Sequence, residues 1–265
     1  MAMSRARGFT LVELVVVIVL VGILATVAVQ IIRQPIDASA DVQRRAKLAD
    51  AADQAMSRIS RDLRLALPNS IRTSADGRAI EMLIAPMAGR YRAGRTAAGG
   101  GDILNFTQTQ FTFDVLSPLP QAPQPGQWIV VYNLAATGPS ANAWVGDNRA
   151  TVGVGSTTSR VEMSPAFQFP FPSPAQRFYV VSGAVQYRCD ASGQLLRHAG
   201  YAPTAAMVVP APGAGALLAE GASVCSFRVQ PGTTTRQAIT SLSLALTREG
   251  ESVSLLKSVH LPNLP

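Results

Sequence analysis

The chain has 265 residues, 48% hydrophobic and 15% charged, and a formal net charge of +7. That length exceeds one small domain and suits an anchor helix with one large or two small lobes. With two cysteines, two histidines and no Cys-x-x-Cys, a zinc site on the usual ligand spacings is not supported, and the basic excess is a charge balance compatible with anionic partners, not a site.

The N-terminus is the most informative stretch. Ser4-Arg5-Ala6-Arg7 leads to Gly8, and from Phe9 to Ile32 the only ionisable side chain is Glu13. As a helix this stretch spans about 36 Å, enough to cross a hydrocarbon core of about 30 Å with some tilt. Arg5 and Arg7 on its N-terminal side predict a cytoplasmic N-terminus, with the remaining chain across the membrane. A cleaved secretory signal has a shorter apolar core and a small-residue cleavage site, whereas Gln30-Ile31-Ile32-Arg33 follows here. Glu13 is the anomaly. A carboxylate within a membrane span costs a few kcal/mol on insertion scales and needs a cation, and no Lys or Arg in the span supplies one. A cut after Gly8 would create one: the α-amine of Phe9, one turn from Glu13, on the same or a neighbouring chain.

Beyond Pro35 a second helical pattern runs from Asp41 to Leu67, with apolar residues at Val42, Ala49, Ala52, Met56, Ile59, Leu63 and Ala66, and Arg45 interrupting the seam. Asp41 with Arg45 and Arg58 with Asp62 are expected surface pairs, and Pro68-Asn69-Ser70 ends the helix. The anchor and this segment read as one long helix. The rest reads as strands: Ala79 to Ala85 after an Asp76-Gly77 turn, Ile103 to Val115, Gln127 to Leu134, Arg177 to Cys189, Gln194 to Tyr201 and Ser223 to Gln230. Gly89 to Gly101, with Arg90, Arg92 and Arg95, reads as a flexible loop and lacks the Gly-Lys-Ser/Thr ending of a phosphate cradle. Pro118 to Pro125 and Pro203 to Gly215 read as further loops. The last hairpin is clearest: Leu242, Leu244 and Leu246, a turn at Arg248-Glu249-Gly250-Glu251, then Val253, Leu255, Val259 and Leu261, with Lys257 interrupting.

Gly8-Phe9-Thr10-Leu11-Val12-Glu13-Leu14, behind a basic leader and before an unbroken apolar helix, resembles the type IV prepilin (class III) signal. The resemblance implies a prepilin peptidase that cuts between Gly8 and Phe9 and N-methylates Phe9, and a Glu13 that sets filament registry against a neighbour's N-terminal amine. Removing Arg5 and Arg7 would take the net charge from +7 to +5. Many pilins carry a helix-kinking proline where this chain has Gln30. Pro35 comes five residues later, so any melting of the helix is displaced or absent. The implied fold is α+β and type IV pilin-like: a long N-terminal helix, its first half transmembrane, packed on an antiparallel β-sheet domain. The implied domains are a leader (1–8), a transmembrane or filament-core helix (9–34), the periplasmic half of the helix (35–68) and a β-rich globular domain (69–265). The segments Tyr187-Arg188-Cys189-Asp190, Ser223-Val224-Cys225-Ser226-Phe227, Gly250 to Leu256 and Val259-His260-Leu261-Pro262-Asn263 resemble the MshO-type minor pilins of the mannose-sensitive haemagglutinin (MSHA) pilus.

Beyond the inner membrane the compartment is oxidising. A Cys189–Cys225 disulfide is therefore expected, worth roughly 4 kcal/mol in the chain-entropy model, with two unpaired buried thiols as the alternative. The leading functional expectation is a minor pilin acting in assembly of a type IV pilus. The alternatives are a J-like minor pseudopilin of a type II secretion system and a pilus-tip adhesin or DNA-binding module using the arginine-bearing loop. Expected partners are the prepilin peptidase/N-methyltransferase, other minor and major pilins, the inner-membrane assembly platform and inner-membrane lipid, with nucleic acid left open. The expected location is the inner membrane, single-pass, with a periplasmic C-terminal domain that enters the extracellular pilus on assembly. No catalytic constellation surrounds His198 or His260, no clustered Asp/Glu loop suggests calcium, and neither cofactor nor metal is expected.

Overall fold

Residues 11–64 contain one glycine, Gly22, and one proline, Pro35, and form a single 54-residue helix, α1 (Leu11–Arg64). The computed structural model describes residues 8–138, 140–232 and 237–261, with backbone alone for 29–40. The leader up to Arg7, the side chains of Gln30 and Pro35, and Pro262 and Asn263 lie outside the described residues. The helical backbone continues through Pro35 without a break. The chain divides into two compact units, Met1–Lys47 and Leu48–Pro265.

In the first unit, Leu11–Ala28 has a mean hydropathy of 2.9 and none of it is buried within the chain. Asp41 pairs with Arg44, one residue short of the expected Arg45. Val42, expected on the apolar seam, is exposed.

In the second unit the end of α1 supplies Leu48, Ala52, Ala55, Met56, Ile59 and Leu63 to the main core. Leu48 and Ala55 were not on the expected seam, and the half-buried Ala49 and Ala66 flank it. Each large side chain buried there contributes roughly 1.5–3 kcal/mol. Fourteen strands follow among the described residues: β1 (Arg72–Thr73), β2 (Ala79–Ile84), β3 (Met87–Arg90), β4 (Gln110–Asp114), β5 (Trp128–Val131), β6 (Arg149–Thr151), β7 (Arg160–Phe167), β8 (Arg177–Val181), β9 (Gly183–Cys189), β10 (Leu195–Tyr201), β11 (Ala216–Ala219), β12 (Ala222–Gln230), β13 (Ala238–Arg248) and β14 (Glu251–Leu261). They pair antiparallel in four sheets, ordered β1-β2-β9-β10-β11, β12-β13-β14, β3-β8-β5-β6 and β4-β7. The first two sheets pack on the helix; this is the α+β arrangement of a long N-terminal helix and antiparallel sheets. Cys189 on β9 and Cys225 on β12 form a disulfide, with Cα atoms 6.3 Å apart, that joins those two sheets.

The other two sheets, between β2 and β9, form an inserted lobe with its own core, including Phe113, Ile129, Phe169 and Phe178. Leu67, Leu83, Val130, Trp144, Val181 and Ala184 join it to the rest. The sequence reading is corrected at several points here. Arg177 to Cys189 is two strands in different sheets. Gly183, at φ +151°, divides them where the chain passes Gly200, whose Cα would lie 3.3 Å from an added Cβ. Only the end of Ile103 to Val115 is a strand, because Asn105 Oδ1 accepts from both the N–H and Oγ1 of Thr107 and turns the chain. β5 stops at Val131, before Tyr132 at φ +55°. The loop expected from Gly89 begins inside β3, and its arginines are engaged. Arg90 donates to Ala175 O (3.2 Å), Arg92 faces Asp114 (3.5 Å) and Arg95 donates to Gly99 O (3.2 Å). Lys257 does not break the β14 alternation: it lies on the inward side and stretches its ammonium to Ser57 Oγ at 3.5 Å.

One buried polar cluster clamps helix to sheet. Asp62 Oδ2 accepts from Tyr187 Oη at 2.6 Å and from Arg197 Nε at 2.8 Å, and the expected Arg58 stands farther off, at 3.9 Å. Burial, reinforced by Asp62, pushes the Tyr187 phenol well above its usual range; burial and Glu81, which accepts from Tyr201 Oη at 2.5 Å, do the same to Tyr201. Folded-state pKa values raised in this way leave the stabilisation complete below the ordinary phenol pKa of about 10, and it is lost as pH climbs beyond that. The expected outcome is that Tyr187 and Tyr201 ionise only with alkaline unfolding, so that phenolate absorbance and loss of circular dichroism rise together. Full ionisation of all the tyrosines ahead of unfolding would contradict the clamp.

Candidate processing and assembly site

Gly8, Phe9 and Thr10 lie ahead of α1 in irregular, exposed backbone, so the Gly8–Phe9 bond is outside the helix, in the accessible kind of segment that proteases cut. A Cβ added to Gly8 would meet nothing within 4 Å. The fold does not require glycine there, so a demand for it would come from whatever binds the segment.

The helix start is built by Thr10. Its carbonyl accepts the first helical bond, from Leu14 N–H at 3.1 Å, and its Oγ1 accepts from Glu13 N–H at 3.3 Å. Thr10 is thus the N-cap and Glu13 the third helical residue, a Thr-x-x-Glu capping arrangement that satisfies one of the orphan donors of the first turn. The spacing was legible in the sequence, and the prepilin reading did not use it. The cap fixes Glu13 in the first turn, where the positive end of the helix dipole favours a carboxylate. Among the described residues no side-chain cation pairs with Glu13. Around and beyond it the helix is apolar on every side, with Leu11, Val12, Leu14 and Ile18 all more than half exposed. Such a surface requires lipid or the apolar helices of other subunits.

Residues 3–29 match the family described as Prokaryotic N-terminal methylation motif. The chain carries a prepilin-like methylation signal. The match takes in Gly8, Phe9 and Glu13. With the apolar helix, it supports a membrane-anchored type IV pilin-like protein of a pilus or pseudopilus. It implies processing by a prepilin peptidase and assembly with other pilins. Comparisons of the chain with curated proteins and with solved structures give no match.

Among the described residues neither histidine joins a catalytic group. His198 is buried in β10 with Nδ1 3.1 Å from Gly213 O, and His260 is exposed on β14. Among the described residues no three His, Cys, Asp or Glu side chains converge as metal ligands. Replacing Thr10 by Ala removes the cap and is expected to cost the helix start about 1 kcal/mol. Amide exchange of Leu11 to Glu13 in detergent should then accelerate severalfold, with residues beyond Gly22 unaffected. Unchanged exchange would remove Thr10 from the account.

Proposed function

We propose that the chain is a minor, pilin-like subunit of an MSHA-type type IV pilus, cut between Gly8 and Phe9, N-methylated on Phe9, and held in register by Glu13. The observation that carries this is the pairing of an accessible Gly8–Phe9 bond with a capped first helical turn that presents Glu13 at the head of an all-apolar helix. Cleavage turns Phe9 into a cation one turn from Glu13, in a subunit whose membrane stretch has no other. In the membrane the helix stores the subunit. In the filament it packs among other helices, where an unpaired carboxylate costs several kcal/mol and a neighbour's Phe9 amine relieves that cost. The helix residues 9–34 would fill the membrane or filament core, 35–68 the periplasmic half, and 69–265 the surface of the assembly. The Cys189–Cys225 disulfide supports exposure to an oxidising compartment.

Mass spectrometry of the membrane-bound protein is expected to give an N-terminal peptide beginning at methylated Phe9. An uncut Met1 form as the sole species would overturn the processing assignment. Glu13→Ala should leave cleavage intact and reduce incorporation into filaments at least tenfold, and normal incorporation would end the registry role. A J-like minor pseudopilin of a type II secretion system would share every one of these features. Gene deletion separates the two: loss of surface pili with normal exoprotein secretion supports the pilus, and the reverse supports the pseudopilus. The nucleic-acid reading has less support, because Arg90, Arg92 and Arg95 already hold protein oxygens.

A further inference from the structure

Four polar side chains are buried in one line across the five-stranded sheet. Arg72 on β1 is the register partner of Glu81 on β2, Glu81 of Gln186 on β9, and Gln186 of His198 on β10. Register partners share a face, and this face is opposite the one that packs Tyr187 and Leu195 toward α1. The four are 8, 1, 0 and 4% exposed. Burying such groups is unfavourable unless each is hydrogen-bonded.

What satisfies most of them is the main chain of residues 204–213. Arg72 donates to the carbonyls of Ala205 (2.7 Å) and Thr204 (3.0 Å). Gln186 donates from Nε2 to Val208 O and accepts at Oε1 from Ala211 N–H, both at 2.8 Å. His198 Nδ1 meets Gly213 O at 3.1 Å. Glu81 holds the row together from behind, accepting from Arg72 Nε at 2.6 Å and from Tyr201 Oη at 2.5 Å. Beside Gly213 the chain runs so near His198 that a Cβ on Gly215 would lie 2.7 Å from its Nε2.

The segment gives almost nothing to the apolar core. From Pro203 to Gly213 only Pro203 and Ala211 are buried, and Val208 and Val209 are about half exposed. It is therefore held by side chains that grip its backbone, not by its own side chains. A segment with little buried apolar surface opens locally at far lower free energy than the sheet beneath it. Lifting it strands no polar group, because water reaches the whole row at once. The row also reads carbonyls and N–H groups instead of side-chain shapes, so what it recognises is the path of a backbone.

We propose that residues 203–213 are a detachable strap, the internal occupant of a groove formed by Arg72, Glu81, Gln186 and His198 that binds a bent, proline-containing peptide like the strap itself through its backbone. The full chain in detergent tests the first half. Ala211 N–H should exchange at least a hundredfold faster than Leu244 N–H in β13, by an opening insensitive to low denaturant. Exchange of both at the rate of global unfolding would overturn it. For the second half, residues 204–213 are replaced by a Gly/Ser segment of equal length, and a synthetic peptide of residues 203–213 is titrated in. Saturable binding to the folded variant and none to the intact chain is expected, and no binding to the folded variant would overturn the groove. Gln186→Ala in the otherwise intact chain provides a test independent of that replacement. Proteolysis within 204–210 should rise roughly tenfold relative to Leu244 exchange, and no relative rise would overturn the grip.

Discussion

One helix has to satisfy two different surroundings without a break. Its first stretch, Leu11–Ala28, is apolar on all sides and unburied among the described residues. From Leu48 onward a single face is apolar, and that face organises two sheets. The cap at Thr10 fixes one end, and the Asp62 cluster fixes the other through Tyr187 on β9 and Arg197 on β10. A buried cluster of this kind gains little net stability over an apolar one, but it admits a single rotation of the helix, because Asp62 meets both partners in only one orientation. The sheets inherit that rotation through the same two strands, and the disulfide extends it from β9 to β12.

The sequence made the end of the helix and the final hairpin legible because each has one wet face and one dry face. The seam through Ala52, Met56, Ile59 and Leu63, and the alternation Leu242, Leu244, Leu246, are direct images of that burial. The inserted lobe was harder to read. β6 has three residues, β3 and β5 have four each, and Pro165 lies within β7. The short ones cannot display a period, and β7 alternates only over its first half.

The five-stranded sheet hides its cover for a different reason. Polar residues on one face of a strand ordinarily mark its watered side, but Gln186 and His198 are bonded to residues 208–213 and Glu81 is held by Arg72 and Tyr201. A cover made of backbone leaves no apolar signature in the strands it covers. At the N-terminus the reverse holds. Gly8, Phe9 and Glu13 are exposed, so their chemistry was legible as a motif and not as a pattern of burial.

The inserted lobe leaves the main sheet just after Ile84 and returns at Gly183, and those two residues are register partners on adjacent strands. Its entry and exit are thus as close together as the two ends of a hairpin turn. The lobe occupies the place that a turn of a few residues would fill, and its interior is nearly self-sufficient; it touches the rest mainly through the layer around Leu67, Leu83 and Trp144. Substitutions in Phe113 or Phe178 therefore act within the graft, while the helix and the sheets that carry it are free to keep their own geometry. Size and surface can change in one part of the molecule without renegotiating the other.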